Sequence, residues 1–390
     1  MSAQSPQFQD YLAKGQDSPY ADLFLSYDSV FPNGATEKDI LAIYRPRPSL
    51  PFTNFSFKDG TKKLMWTTFT SNQIDIDVTS KMGVAYLEGI LDTFQKSGVS
   101  MIRLDATGYA IKKPGTSCFM IEETFDFIDV LTKKAHDRDM AVLVEIHSFY
   151  KTQINIAAKV DYVYDFALPV LVLDTLFNKD ASNLKKWLAV SPRNAITVLD
   201  THDGIGVVDV ASEGDQAGLI ENARLDKIVD QIHLNSKGDS LKATGEAASN
   251  LDLYQVNCTY FDALGRDEKA YLMARAIQFF VPGIPQVYYV GLFAGENDMG
   301  LLSKTNVGRD INRHYYLKTE IEQELQRPFI QQLTQLMRFR NTHPAFEGEF
   351  ELLSTANDLL HIRWTKGADF AELQLNLNKQ EMNIRSSSSL

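Results

Sequence analysis

Three carboxylates close three successive apolar stretches. Asp105 follows Met101-Ile102-Arg103-Leu104, Glu145 follows Ala141-Val142-Leu143-Val144, and Asp203 follows Ile196-Thr197-Val198-Leu199-Asp200-Thr201-His202. β/α barrels display their chemistry at the carboxyl ends of their strands, so acids at those positions converge on one mouth. Carboxyl groups flanking a glycosidic bond can break and rebuild it, one as nucleophile and one as proton donor and acceptor. One strand-end acid alone is an ordinary helix cap, but capping does not account for three in register. Arg103 stands two residues before Asp105 on the same strand face, where its charge would keep Asp105 ionised. The Glu145-x-His147 pair lacks the i, i+4 helical spacing with which two side chains share an ion, so no metal is expected. His147 reads as a packed or hydrogen-bonded strand residue.

The elements around these acids alternate. Residues 1 to about 80 are turn-rich (Ser18-Pro19, Pro32-Asn33-Gly34, Tyr44-Arg45-Pro46-Arg47-Pro48) and end in the alternating Gln73-Ile74-Asp75-Ile76-Asp77-Val78, which predicts a small loop domain without a core. Val84, Leu87, Leu91 and Phe94 give one apolar helical face, stopped by Gly98, and the strand ending at Asp105 follows. A second helix carrying Ile121, Phe125, Ile128 and Leu131 delivers the strand ending at Glu145. Further strands are predicted at Val160 to Leu168, Ala195 to Leu199 and Gln286 to Val290, and further helices from Leu171, after the cap Asp267, and around Phe329 to Phe346. This alternation predicts an α/β fold with a parallel sheet. Between Gly204 and Arg266 regular cues are few, and long loops in a compact domain are usually functional. The alternating segments at 360–364 and 371–375 predict a short C-terminal β segment.

Composition narrows the class. With 390 residues, 44% hydrophobic and 23% charged, the chain is globular material with ample core. A net charge of -11 argues against nucleic acid, so any anion must be held by local arginines. Two cysteines, Cys118 and Cys258, make neither a disulfide framework nor a metal ribbon and point to a reducing cytoplasm. No signal peptide and no membrane span are expected.

Arg103-Leu104-Asp105, Glu145-Ile146-His147 and Asp200-Thr201-His202-Asp203-Gly204, in that order, resemble signature regions of the alpha-amylase superfamily of retaining glycoside hydrolases and transglycosidases. Within it, Ile102 to Ala106 with Tyr109, Gly115 to Met120, Val163 to Pro169, Asn250 to Gln255 and Gly308 to Tyr316 resemble the branch that cleaves sucrose with phosphate. The resemblance implies a (β/α)8 TIM-barrel type, incomplete here, with barrel strands 4 to 8 present and the first three upstream of Met1. The implied layout is a loop domain over 1–80, barrel units 4 to 7 over 81–203, an acceptor-site insertion over 204–266, the end of the barrel over 267–346 and the β segment over 347–390.

The same resemblance implies roles. Asp105 would be the nucleophile, Glu145 the acid/base and Asp203 the transition-state stabiliser, helped by His202, with Arg309 paired to the sugar-gripping acids. Phe69 and Gln73 resemble the acceptor-side wall, and Tyr109, together with Arg103, is implied to bind substrate. Tyr44 and Arg47 resemble one acceptor loop, and Leu251, Asp252, Tyr254 and Gln255 the other. Arg47 would hold phosphate, and Asp252 would repel a fructose phosphate. The implied reaction moves glucosyl from sucrose to phosphate, giving alpha-glucose 1-phosphate and fructose without metal or cofactor. A homodimer is compatible with it. Two alternatives stay open: a related glucosyl transferase or alpha-glucoside hydrolase, and an inactive truncated remnant that only binds sugar.

Overall fold

The computed structural model describes residues 1–245 and 253–388. These form two compact units, the first from Met1–Ile146 and Ile156–Val163, the second from His147–Asn155, 164–245 and 253–388.

In the first unit the amino-terminal segment, expected to lack a core, has one. Helix Pro6–Lys14 starts with Ser5 accepting from Phe8 N–H and a proline at the first helical position. Its Phe8 and Tyr11 pack with Phe24, Phe57, Met65 and Ile74 beneath the hairpin of β1 (Phe52–Ser56) and β2 (Lys62–Trp66). Phe8 and Phe24 meet edge to face at 5.0 Å, as do Tyr11 and Phe57. These aromatics lie far apart in sequence and show no period, so the cluster was not legible as a core.

Helix Lys81–Lys96 is capped by Ser80, whose hydroxyl accepts from Gly83 N–H, and ends before Gly98 at φ 74°. Then come β3 (Met101–Leu104), helix Glu122–His136 and β4 (Ala141–Val144). β3 and β4 pair in parallel from Met101↔Ala141 to Leu104↔Val144, and β5 (Tyr162–Asp165) joins through Leu143↔Tyr162 and Val144↔Val163.

In the second unit the chain leaves β5 earlier than expected. Asp165 accepts from Leu168 N–H at 3.0 Å and Pro169 sits in the first turn, so Leu168 to Val170 belong to helix Leu168–Asn178. β6 (Ala195–Thr197) follows, then β7 (Ile205–Gly206) and β8 (Gln255–Val256), which pair antiparallel, and β9 (Ile284–Pro285), which pairs in parallel with β6.

The predicted strand at Gln286 to Val290 is thus displaced toward the amino terminus. Gly283, at φ 117°, brings the chain so close to β6 that a Cβ there would lie 2.5 Å from the Ala195 carbonyl. Pairing begins at once, and Tyr289–Leu292 already coils into a helical turn. The five parallel strands run in the order β3-β4-β5-β6-β9.

The segment after Gly204 is more regular than expected. It contains helix Asn222–Asn235, with Leu225, Ile228 and Ile232 buried on one face. Asp267 caps helix Glu268–Phe280 as predicted, accepting from Lys269 and Ala270 N–H. Helix Pro328–Thr342 stops ahead of Pro344, short of the predicted Phe346. The tail is an antiparallel sheet of β10 (Glu349–Leu352), β11 (Leu359–Lys366), β12 (Asp369–Asn376) and β13 (Glu381–Ser386). No helix among the described residues is long and apolar enough to cross a membrane.

Candidate active site

In the first unit the chain turns sharply after β3. Ala106 adopts a left-handed conformation at φ 51°, and residues Thr107–Tyr109 form a 3-10 turn. That turn directs the Ala106 N–H to Glu145 Oε2 at 3.0 Å. Glu145 is buried, and its own N–H extends the β3/β4 ladder by bonding Leu104 O at 3.0 Å. Asp105 is far more open, with 68% of its side chain exposed, and Arg103 Nη2 lies 2.8 Å from its Oδ1. One cleft of about 380 Å³ has Phe69, Gln73, Arg103, Asp105 and Tyr109 in a lining that is otherwise largely apolar, with Ile102, Leu104, Leu87 and Phe94 among it.

An aromatic wall adjoins it. Tyr44 stacks on Phe119 at 4.6 Å, Tyr109 lies 4.5 Å from Phe119, and Phe69 meets the edge of Tyr109 at 5.2 Å. Gly108 permits this packing, because a Cβ there would lie 2.7 Å from the Phe119 ring. The Tyr109 hydroxyl is buried and has no hydrogen-bond partner among the described residues. Burial above all, then the neighbouring Tyr44 and Glu145, push its ionisation well up, against the opposing charge of Arg47. Arg47 Nη1 donates to Pro46 O at 2.8 Å, and Gln73 is exposed with its Oε1 accepting from Thr70.

In the second unit the loop 201–203 is pinned from another segment. Asn312 Nδ2 donates to Asp203 O at 2.8 Å and Thr201 O at 3.2 Å, and Arg313 Nε donates to His202 O at 2.8 Å. Asp203 keeps only 11% of its side chain exposed, with Arg309 Nη1 2.5 Å and His202 Nε2 3.7 Å from its Oδ1. Burial would raise its carboxyl, but Arg309, His202, His147 and Arg313 together hold it below the usual carboxylate range. After Asp203, β7 aligns Gly206 with Gln255, and Arg309 Nη2 lies 3.2 Å from Gln255 Oε1. Gln255 and Tyr254 are buried. Leu251 and Asp252 lie outside the described residues.

No family model matches the chain. A sucrose phosphorylase of Agrobacterium vitis is 57% identical over 388 residues, covering 99% of this chain and 80% of that protein. The sequence family is settled by that match. This chain belongs to the sucrose phosphorylase family.

Among solved structures, a sucrose 6F-phosphate phosphorylase from Thermoanaerobacter thermosaccharolyticum superposes with a TM-score of 0.90 at 38% identity, over 100% of this chain and 80% of that one. An alpha-amylase from H. orenii shares the fold at a TM-score of 0.62 and 15% identity, over 97% of this chain and 68% of that one. The fold is therefore of the alpha-amylase TIM-barrel type.

Within this family member, several residues near the expected site had gone unremarked. Phe119, quoted only as part of a motif, is the ring against which Tyr44 and Tyr109 pack. Lys112, 1% exposed, bonds Tyr109 O at 2.5 Å and Asp75 and Thr68 at 2.9 Å each. Asn312 and Arg313 follow Arg309 in a motif already noted, so their pinning of loop 201–203 could have been suspected. Asp209 carried no signal, because its contacts span about sixty positions.

Proposed function

We propose that this chain is a sucrose phosphorylase, transferring glucosyl reversibly from sucrose to phosphate to give alpha-glucose 1-phosphate and fructose. The observation that carries the reading is the placement of Asp105 and Glu145 at adjacent ends of β3 and β4, in a chain 57% identical to a sucrose phosphorylase.

The roles follow from environment. Asp105, open and beside Arg103, attacks the anomeric carbon; the bond to the fructosyl oxygen breaks, and Glu145 gives that oxygen its proton. A phosphate oxygen then attacks the same carbon from the vacated face, passes its proton to Glu145, and the bond to Asp105 breaks. Two inversions give retention. Asp203, kept ionised by Arg309, holds sugar hydroxyls with bonds that tighten as positive charge develops at the ring. By resemblance, Tyr44, Arg47, Phe69, Gln73 and Tyr109, and likewise Leu251, Asp252, Tyr254 and Gln255, are the residues assigned to fructose and phosphate. The Tyr109 hydroxyl, without a hydrogen-bond partner among the described residues, supports a ligand contact at that position.

Hydrolysis is the competing reading, favoured by the exposure of Asp105, which lets water approach a glucosyl-enzyme. Incubating the chain with sucrose, with and without phosphate, separates the two. The phosphorylase gives glucose 1-phosphate and little glucose when phosphate is present, and glucose alone in both tubes would refute it. Two buried free thiols, Cys118 and Cys258, support a reducing cytoplasm as its compartment, and a homodimer is part of the same proposal.

A further inference from the structure

In the second unit helix Glu268–Phe280 carries Tyr271, Arg275 and Gln278 at helical spacing on one face, and all three are fully buried. Arg275 has only donors, so every polar neighbour it meets must accept. Its Nη2 lies 2.8 and 2.7 Å from the two carboxylate oxygens of Asp200 and 2.6 Å from the Tyr271 hydroxyl, which also accepts from Nε at 3.2 Å. The Tyr271 proton therefore goes to Gly291 O, at 2.6 Å. Arg275 Nη1 donates to Gln278 Oε1 at 2.8 Å, which leaves the Gln278 nitrogen for Thr197 O and Gln286 O, each at 2.9 Å.

These bonds join the ends of two strands to the loop that bears Asp203. Thr197 is the last residue of β6, and Gln286 is the first after β9. Asp200 opens the loop, with 9% of its side chain exposed. Asn312 and Arg313 grip the same loop from the segment that supplies Arg309, whereas Arg275 grips it from the sheet side. The contact has no slack, because a Cβ on Gly291 would lie 1.9 Å from Asp200 Oδ2 and 2.1 Å from Arg275 Nη2. Hydrophobic residues of similar volume often stabilise a core as well as a buried ion pair does, so stability alone does not account for this one.

We propose that Arg275 is a positioning residue: through Asp200 it registers the loop bearing Asp203 against the ends of β6 and β9, so that Asp203 meets the sugar where charge develops. The kinetic consequence rests on the sucrose phosphorylase reading; the hold on the loop does not.

Replacing one partner alone strands a charge in the core, so the informative change is the neutral pair Arg275→Met with Asp200→Asn. It removes both charges and fills the volume of the arginine stem, and the chain should stay folded. Arg275→Lys is the second variant. It keeps a cation for Asp200, but an ammonium cannot hold Asp200, Tyr271 and Gln278 in the fixed geometry of a guanidinium.

The test follows single-turnover glucosylation by sucrose and by glucosyl fluoride in the full chain and its variants, since those rate constants do not depend on the folded fraction. Asp203 grips the sugar whichever group leaves, so both constants should fall by the same factor, about ten- to a hundredfold, the size of one hydrogen bond to a charged group. KM for sucrose should hardly change. Hydrogen exchange on the same samples should quicken in the peptide spanning 200–204 and stay unchanged in helix Asn222–Asn235. In the parent, 15N spectra should show the Arg275 Nη groups held against rotation. Parental rate constants in the folded neutral pair overturn the proposal, as does a loss confined to sucrose or an unmoved loop exchange. If that pair does not fold, the same outcomes in Arg275→Lys decide. A freely rotating Arg275 guanidinium in the parent overturns the proposal whatever the variants do. Absence of glucose 1-phosphate in the parent would count against the function alone, and hydrogen exchange would still decide the hold on the loop.

Discussion

Asp105 and Glu145 end neighbouring strands but differ in environment: the first is mostly exposed beside a guanidinium, the second buried beneath the Ala106 amide. A nucleophile must be ionised and reachable, whereas an acid/base must be held where the leaving oxygen departs. Glu145→Gln is therefore expected to lower turnover on sucrose by about 10²–10⁴-fold. It should slow glucosylation by glucosyl fluoride far less, because fluoride departs without a proton. Stopped-flow fluoride release measures this, and equal losses on both donors would remove Glu145 from the acid role.

For Asp203 the depressed carboxyl sets the sign of the pH effect. Its contribution to stability is fully present above the unfolded value near ~3.9 and is lost as pH falls through the lower folded value. Arg309→Met leaves the burial and removes the largest opposing charge, so the Asp203 carboxyl should rise. The acid side of the stability profile then moves to higher pH, as urea titrations at a series of pH values would detect. An unchanged profile would mean that Arg309 does not hold Asp203.

At the level of elements, the aromatic wall depends on a buried cation. Lys112 ties the turn after β3, through Tyr109 O, to Asp75 and Thr68, and its ammonium lies 5.3 Å from the Trp66 ring. Lys112→Met preserves the stem but leaves Asp75 short of its cation in a place with little water. Breaking one partner of such a pair costs about 3–5 kcal/mol. A thermal or urea midpoint reports the loss, and KM for acceptors should rise with it as Tyr109 and Tyr44 loosen. A neutral substitution would show that the first unit does not rely on this tie.

At the scale of the whole molecule, what could be read from sequence and what could not divide along contact range. The ends of β3 and β4 were legible because each is a four-residue apolar run punctuated by an acid, and both strands have the predicted bounds. β9 was misplaced because the Tyr-rich run after Pro285 has strand propensity, whereas the register is fixed by close approaches at Gly283 and Gly291. At Gly291 a Cβ would lie 1.9 Å from Asp200 Oδ2. Helix Asn222–Asn235 was missed although Leu225, Ile228 and Ile232 have helical spacing, since small and polar neighbours dilute that signal. The tie from the sheet to Asp200 through Gln278 and Arg275 was illegible, its long links joining positions 81 and 75 apart. With a net charge of -11, phosphate would have to be held by local arginines, and the charge of Arg47 is felt at Tyr109 in the aromatic wall.

The account as a whole stands on a glucosyl group carried by Asp105. The direct measurement is peptide mass spectrometry of the Glu145→Gln chain after reaction with glucosyl fluoride, under conditions where the second displacement is slow. The account predicts one added glucosyl mass on the peptide containing Asp105, released as alpha-glucose 1-phosphate when phosphate is restored with an external base such as formate. An adduct on another residue, or phosphate-dependent turnover of the unmodified chain that survives Asp105→Asn, would contradict it.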